Sequence, residues 1–92
     1  MLAPRARRDL QEAWTYSRDQ WGARRADSYV RDLNAAILRI GAHPMAGQAC
    51  DEIRPGYRKH PAGSHMLFYQ IREDAVVVIR VLHQQMDVQD KL

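Results

Sequence analysis

Three side chains in the C-terminal half of the sequence, Arg58, Arg80 and His83, could act together on a phosphate group. Cleavage of a phosphodiester needs a base with a pKa near neutral, and positive charges beside the phosphorane as its negative charge develops. No other set of residues in the chain fits that chemistry. No tyrosine that could aid proton transfer follows Tyr69, and Asp87 near the C-terminus would repel a phosphate. The sequence therefore offers one candidate catalytic set.

Two members of this set also have a structural explanation. Arg80 interrupts the apolar run Ala75–Leu82 and could instead pair with a buried carboxylate, such as Glu52 or Asp87. His83 follows that run at the end of a predicted strand, a place typical of a hydrogen-bonded structural histidine.

Composition excludes several other classes of site. The lone Cys50 cannot form an internal disulfide, which is typical of a reducing compartment, and the four histidines lack the spacing of zinc ligands. We therefore predict no metal and no cofactor. No stretch is long and apolar enough for a signal peptide or a membrane span, so we predict a cytoplasmic protein.

Length and charge point to one small domain, residues 1–92, with contacts made through arginine. The formal net charge is +3, and twelve of the fourteen cations are arginines. Arginine favours planar, multiply bonded contacts with carboxylate or phosphate. Because these charges are spread along the chain and not clustered, we expect no direct sequence-specific binding to nucleic acid.

The N-terminal half predicts two amphipathic helices joined by a single glycine, Gly22. The first begins at Pro4, which suits the first helical position, and the second closes at Gly41 and Pro44. Such a pair is typical of an antiparallel helical hairpin. The apolar face of the first helix is predicted to be Ala6, Leu10, Ala13, Trp14, Ser17 and Trp21. That of the second is predicted to be Ala26, Tyr29, Val30, Leu33, Ala36, Ile37 and Ile40.

The C-terminal half predicts strands. Met66–Ile71 and Ala75–Leu82 flank the charged turn Arg72–Asp74 and read as a β-hairpin. The second run has no polar alternation, so we expect it to be covered on both faces. Before the hairpin, the sequence predicts a loop at Pro44–Glu52, an edge strand at Ile53–His60 that contains Pro55, and a turn at Pro61–Gly63. After it, the tail Val88–Leu92 is expected to dock as one helical turn or to stay loose.

Three segments carry a family resemblance. WTYSRDQWG at Trp14–Gly22, DEIRPGYRKHPAGSHMLFY at Asp51–Tyr69 and IRVLHQQMD at Ile79–Asp87 resemble the ParE branch of the RelE/ParE toxins, the toxin halves of bacterial type II toxin–antitoxin pairs. The order and spacing match from about Leu2 to the C-terminus. The combination of Arg-Pro-Gly-Tyr-Arg, Ser-His-x-x-Phe-Tyr and Arg-x-Leu-His is specific, whereas any one piece alone would be weak.

The resemblance implies a fold and a function. The fold would be α+β, with an antiparallel two-helix hairpin packed on a small, mainly antiparallel sheet. The function would be inhibition of DNA gyrase by binding, without catalysis, and neutralisation by a ParD-like ribbon-helix-helix antitoxin in a hetero-oligomer. Two alternatives stay open. One is a RelE-type ribosome-dependent mRNA endoribonuclease that uses Arg58, Arg80 and His83, and the other is an inactive remnant that binds an antitoxin.

The sequence departs from the family at two points. Family members usually carry a strand before the first helix, but here only Met1–Ala3 precede Pro4, so that strand is nearly absent. We therefore expect one edge of Ala75–Leu82 to be uncovered and the free chain to self-associate. In addition, Gln85 stands where the family commonly has arginine, which weakens any cationic contact there.

Two sets of contact residues are predicted. The target-binding set lies at and after the last strand: His83, Met86, Asp87, Lys91 and Leu92. The antitoxin-binding set lies on the helix pair and the outer strand, where an amphipathic segment could dock: Trp14, Arg18, Tyr29, Arg31, Arg58 and Tyr69.

Overall fold

The computed structural model describes residues 1–86 and 88–92 and places two helices on one face of an antiparallel sheet. The strands lie side by side in chain order, each antiparallel to the next. This confirms the predicted α+β architecture. The elements are α1 (Pro4–Trp21), α2 (Ala23–Ala42), a 3₁₀ turn (Pro44–Ala46), β1 (Gln48–Ala49), β2 (Arg58–Ala62), β3 (His65–Arg72) and β4 (Ala75–His83).

Gly22 joins the two helices as predicted. Its φ of +98° lies in the region that favours glycine, its N–H donates to Arg18 O at 2.8 Å, and its carbonyl accepts from Ala26 N at 3.1 Å. One residue thus ends α1 and begins α2. The buried helix residues follow the predicted faces: Ala6, Leu10, Ala13 and Ser17 on α1, and Ala26, Leu33, Ala36 and Ile40 on α2.

The predicted position of Trp21 in the helix interface is wrong. This side chain is 56% exposed. It lies at the very end of α1, edge-on to Tyr16, with the Arg25 guanidinium 5.5 Å from its ring centre. The indole is therefore covered by surface neighbours and not by the core.

The β3–β4 hairpin and its turn are confirmed. Glu73 and Asp74 both have positive φ, 50° and 67°, as a tight two-residue hairpin turn requires. The register shifts by one residue opposite Phe68 and Tyr69, so that Ile79 forms a bulge in β4. This bulge lies directly before Arg80.

Both faces of β4 are covered, as predicted. On the helix side, Val78 and Val81 join the main core with Leu67 and Tyr69. On the opposite side, Leu82 belongs to a second cluster with Cys50 and Phe68, against which Ile53, Tyr57, Met66, Val88 and Leu92 pack. The tail thus docks as a turn, with Lys91 N donating to Val88 O at 3.0 Å.

Two predicted boundaries before the hairpin are wrong. The strand expected over Ile53–His60 begins only at Arg58, because the preceding residues close a loop in which Asp51 Oδ1 accepts from Gly56 N at 2.7 Å. The expected turn at Pro61–Gly63 starts later, since β2 continues to Ala62. Pro61 is tolerated there because β1 pairs only with the first two residues of β2.

The predicted uncovered edge of β4 is also wrong. Leu2 pairs with Val78 in a parallel bridge, where Val78 N donates to Met1 O and Ala3 N donates to Val78 O, each at 2.9 Å. Farther along, Val81 N donates to the carboxylate of Asp9 at 2.9 Å. Residues 1–3 and the Asp9 side chain therefore cover backbone groups of β4 that were expected to be exposed. No helix in residues 1–86 and 88–92 is long and apolar enough to span a bilayer.

Candidate functional site

A groove of about 910 Å³ runs between α1 and the C-terminal end of β4. One wall is the outer stripe of α1, which includes Arg8, Glu12 and Tyr16. The opposite wall is the end of β4 from Arg80 to His83, and Met86 lies at the rim. Its lining combines charged side chains with apolar ones, a mixed surface of the kind that accepts a protein segment.

A buried ion pair forms the floor of the groove. Arg80 Nε donates to Asp9 Oδ2 at 2.7 Å and Nη2 donates to Oδ1 at 3.0 Å. The side chains are 12% and 6% exposed. The hydrogen bond that Arg80 donates to Asp9 raises the pKa of Arg80 above its ordinary value, although burial opposes this, so the arginine stays charged. The expected pairing of Arg80 with a carboxylate is confirmed, but the partner is Asp9 and not Glu52.

Two histidines of the groove lining, His65 and His83, form a cluster with Tyr29. Tyr29 Oη accepts from Ser64 N at 2.9 Å, so its own proton is available for His65 Nδ1 at 2.6 Å. The His65 ring lies edge-on to His83, whose Nδ1 accepts from Gln85 N at 3.2 Å. Both Nδ1 atoms are therefore acceptors, which assigns the proton of each neutral ring to Nε2. Burial, helped by the neighbouring His83, lowers the pKa of His65.

The structure does not bring Arg58, Arg80 and His83 together. Arg58 directs its guanidinium to the carbonyl of Gly47, with Nε at 3.0 Å. It pairs with β3 four residues away from the partner of His83, a separation of about 13 Å along the strand. Arg80 is engaged by Asp9. The predicted catalytic constellation is therefore wrong as a single site, because its two cations face different internal partners.

Comparison with known proteins agrees with the observed fold. The family profile described as "ParE toxin of type II toxin-antitoxin system, parDE" matches residues 1–88. The chain belongs to the ParE toxin family. It is 52% identical over 93 residues to Toxin ParE1 of Mycobacterium tuberculosis, covering 100% of this chain and 95% of that protein. It is 44% identical to Toxin ParE1 of Caulobacter vibrioides, covering 99% and 94%.

Solved structures agree on the fold. A chain from the structure titled "Chromosomal ParDE TA system from P. aeruginosa" superposes with a TM-score of 0.79, covering 89% of this chain and 90% of that one. The two are 16% identical, so this likeness concerns the fold alone. The resemblance drawn from the sequence motifs is thus confirmed at the level of family and architecture.

Within this ParE fold, the predicted antitoxin-binding residues are divided between surface and interior. Tyr69 is fully buried, and its hydroxyl donates to Pro44 O at 2.6 Å while accepting from Gly47 N at 2.8 Å. Its assignment to a contact surface is wrong, because a side chain that ties the interior to the loop before β1 cannot reach a partner. The half-buried Arg58 side chain is bound to that loop.

The remaining residues of that set lie on the helix pair. Trp14 donates from Nε1 to Asp27 Oδ1 at 2.7 Å, and Arg18 lies over its ring at 5.3 Å. Arg31 is exposed on α2, and Tyr29 is half-buried in the histidine cluster. Two of the six, Arg18 and Arg31, are therefore exposed to a partner, and Trp14 is half-buried.

The predicted target-binding residues are placed at two neighbouring sites. His83 and Met86 line the groove, and Met86 is 48% exposed. Lys91 is exposed on the C-terminal turn, whereas Leu92 packs against the second cluster. Asp87 lies outside the described residues. Sequence reasoning missed the α1 wall, above all Asp9 and Tyr16.

Proposed function

We propose that this chain is a toxin that binds and inhibits DNA gyrase, and that a ParD-like antitoxin neutralises it. The observation that carries the proposal is the match to the ParE toxin profile over residues 1–88. Arg58 and Arg80 donate their hydrogen bonds to acceptors within the chain, which further supports action by binding. A phosphate-cleaving site would need those charges directed at its substrate.

Charge favours the helix pair as the surface on which the antitoxin docks. The two helices carry eight arginines and five carboxylates, one of which, Asp9, is neutralised by Arg80. The rest of the chain carries six cations and six carboxylates. An acidic segment would therefore be steered to α1 and α2. The structural neighbour is described by its title as a ParDE toxin–antitoxin system, which supports a partner of this class.

The groove gives a physical route to neutralisation. Its α1 wall carries Arg8 with Glu12 and Asp19 and adjoins the arginine-rich surface of the helix pair. The groove lining also includes His83 and Met86 from the predicted target-binding set. An antitoxin segment seated in the groove would cover those two residues. Neutralisation would then follow from direct exclusion of the target.

Supercoiling by purified gyrase is the test. We expect the chain to inhibit supercoiling, the antitoxin to restore it, and mRNA in a translating extract to remain intact. Cuts at fixed codon positions with normal supercoiling would overturn the proposal in favour of a ribonuclease. Antitoxin binding with neither effect would overturn it in favour of an inactive remnant.

A further inference from the structure

Arg80 holds more than its ion-pair partner. While Nε and Nη2 bind the Asp9 carboxylate, Nη1 donates to the backbone carbonyl of Lys91 at 2.7 Å. One guanidinium on β4 is thus bonded to α1 on one side and to the C-terminal turn on the other. A lysine could not reproduce this arrangement, because its single ammonium lacks the planar fork that serves both partners.

The C-terminal turn, residues 88–92, is also held by backbone hydrogen bonds and by apolar packing. Its internal bonds run from Lys91 N and Leu92 N to Val88 O, at 3.0 and 3.3 Å. Val88 and Leu92 pack against the second cluster, and Arg54 Nη2 reaches Gln89 O at 3.5 Å. A single turn of helix is not stable by itself, because nucleation costs more than one or two hydrogen bonds return. Its conformation therefore depends on what anchors it.

Of these anchors, Arg80 is the best fixed. The Asp9 carboxylate holds its guanidinium through two bonds, and the pair is largely shielded from solvent. Apolar packing by Val88 and Leu92 is not directional and would allow the turn to slide or rotate. The bond from a fixed guanidinium to the Lys91 carbonyl is charge-assisted and directional. It sets where the exposed Lys91 side chain stands relative to the groove.

We infer that Arg80 is a positioning residue, which orders the C-terminal turn and so presents it to the target. This inference rests on the proposed function and deepens it by naming what holds the target-binding surface. A turn already ordered in the free protein avoids the entropy cost of ordering it on binding. Arg80 therefore acts through the turn and touches no target atom itself.

The test compares Arg80→Lys with Arg72→Lys, the same substitution at a control position. Arg72 is exposed at the other end of the β3–β4 hairpin, where its Nε donates to Gln70 Oε1. Two quantities are measured on each folded chain: amide hydrogen exchange at Lys91 and Leu92, and the concentration that half-inhibits gyrase. Loss of one charge-assisted bond should raise both by about tenfold in Arg80→Lys. Arg72→Lys should match the wild type in both quantities.

A second variant covers the case in which Arg80→Lys does not fold. Val88→Ser leaves the ion pair intact and removes one of the two apolar anchors of the turn. It should also speed exchange at Lys91 and weaken inhibition.

Exchange at the wild-type rate in Arg80→Lys, or faster exchange with unchanged inhibition in either variant, would overturn the inference. A wild-type chain that leaves gyrase unaffected would overturn the proposed function and, with it, this use of the turn. The exchange comparison would still decide whether Arg80 orders the turn.

Discussion

The Asp9 carboxylate connects three parts of the molecule. It lies on α1, accepts two bonds from Arg80, and accepts a third from the backbone N–H of Val81. The carboxylate is 6% exposed, so its charge is stable only with these donors in place. Asp9 therefore fixes the distance between α1 and β4, and with it the width of the groove.

Asp9→Ala should be strongly destabilising. It leaves the Arg80 charge unpaired and the Val81 N–H without its acceptor, and breaking such a buried pair costs about 3 kcal/mol. Asp19→Ala removes an exposed carboxylate that pairs with Arg18, and should cost less than about 1 kcal/mol. Urea unfolding measures both. Equal, small losses of unfolding free energy in the two variants would show that the pair contributes little.

The sequence contains a signal for the role of Asp9. Ala6, Leu10 and Ala13 define the buried stripe of α1, and Asp9 lies three residues after Ala6, on the edge of that stripe. A carboxylate in such a position needs a cationic partner, and Arg80 was the one cation inside an apolar strand. Their pairing was predictable in kind. The contact of both with the tail was not, because it depends on how the chain returns after β4.

His65 should make stability depend on pH. The groups that face it are Tyr29 from α2, His83 from β4 and Asp9 from α1. Burial, followed by the effect of His83, lowers its pKa below the unfolded value of about 6.5, and Asp9 partly opposes this. A histidine with a lowered folded pKa contributes its full stability above about pH 6.5. That contribution is lost as the pH falls from there through the folded pKa.

Unfolding free energy measured between about pH 7.5 and 5.5 checks this direction. The wild type should lose stability across the window, and His65→Gln should lose less. His43→Gln, at an exposed histidine, should behave like the wild type. A wild-type profile that stays flat, or one that His65→Gln leaves unchanged, would contradict the assignment of a neutral His65.

At the scale of elements, residues 1–3 cover part of the edge of β4. Met1 and Ala3 form backbone hydrogen bonds with Val78, and the Met1 amine donates to Val76 O at 3.2 Å. Farther along β4, Val81 N donates to the carboxylate of Asp9. The exposed backbone groups of an edge strand invite pairing with another chain. Here a parallel bridge and a carboxylate satisfy them within the chain.

The free chain should therefore sediment as a monomer at about 20 μM, a concentration at which chains with exposed strand edges commonly associate. Removal of Met1 and Leu2 should expose Val76–Val78 and produce concentration-dependent association. Sedimentation velocity of the two chains side by side is the measurement. Association of the intact chain to the same degree would show that these residues do not protect the edge.

Elements with strong local signals were predictable, and those that depend on loop closure were not. The helical hairpin followed from two periodic apolar faces and Gly22, and the β-hairpin followed from two apolar runs around a charged turn. The strand β1 was missed because its two residues have no pattern of their own. It forms because Cys50 N donates to Tyr57 O and closes the loop against β2.

At the scale of the whole molecule, the charged surface adjoins the contact surface. The net charge of +3 resides on the helix pair, and the groove lies between α1 of that pair and β4, which also contacts the C-terminal turn. The helices can therefore attract a partner that then covers the groove. Sequence predicted the two rim residues of the groove, His83 and Met86. It could not predict the groove itself, because its walls come from residues about seventy positions apart in the chain, such as Asp9 and Arg80.

The central claim, that the toxin acts through the groove rim and the C-terminal turn, is tested most directly by two methionines. Met86 is 48% exposed at the rim, and Met45 is 70% exposed after α2, away from the groove. The measurement is the concentration of each variant that half-inhibits gyrase supercoiling. Met86→Asp should raise it about tenfold or more, because it puts a charge in place of an apolar contact with the target, and Met45→Asp should stay within about twofold of the wild type. Equal effects of the two substitutions, or no inhibition by the wild type, would contradict the account.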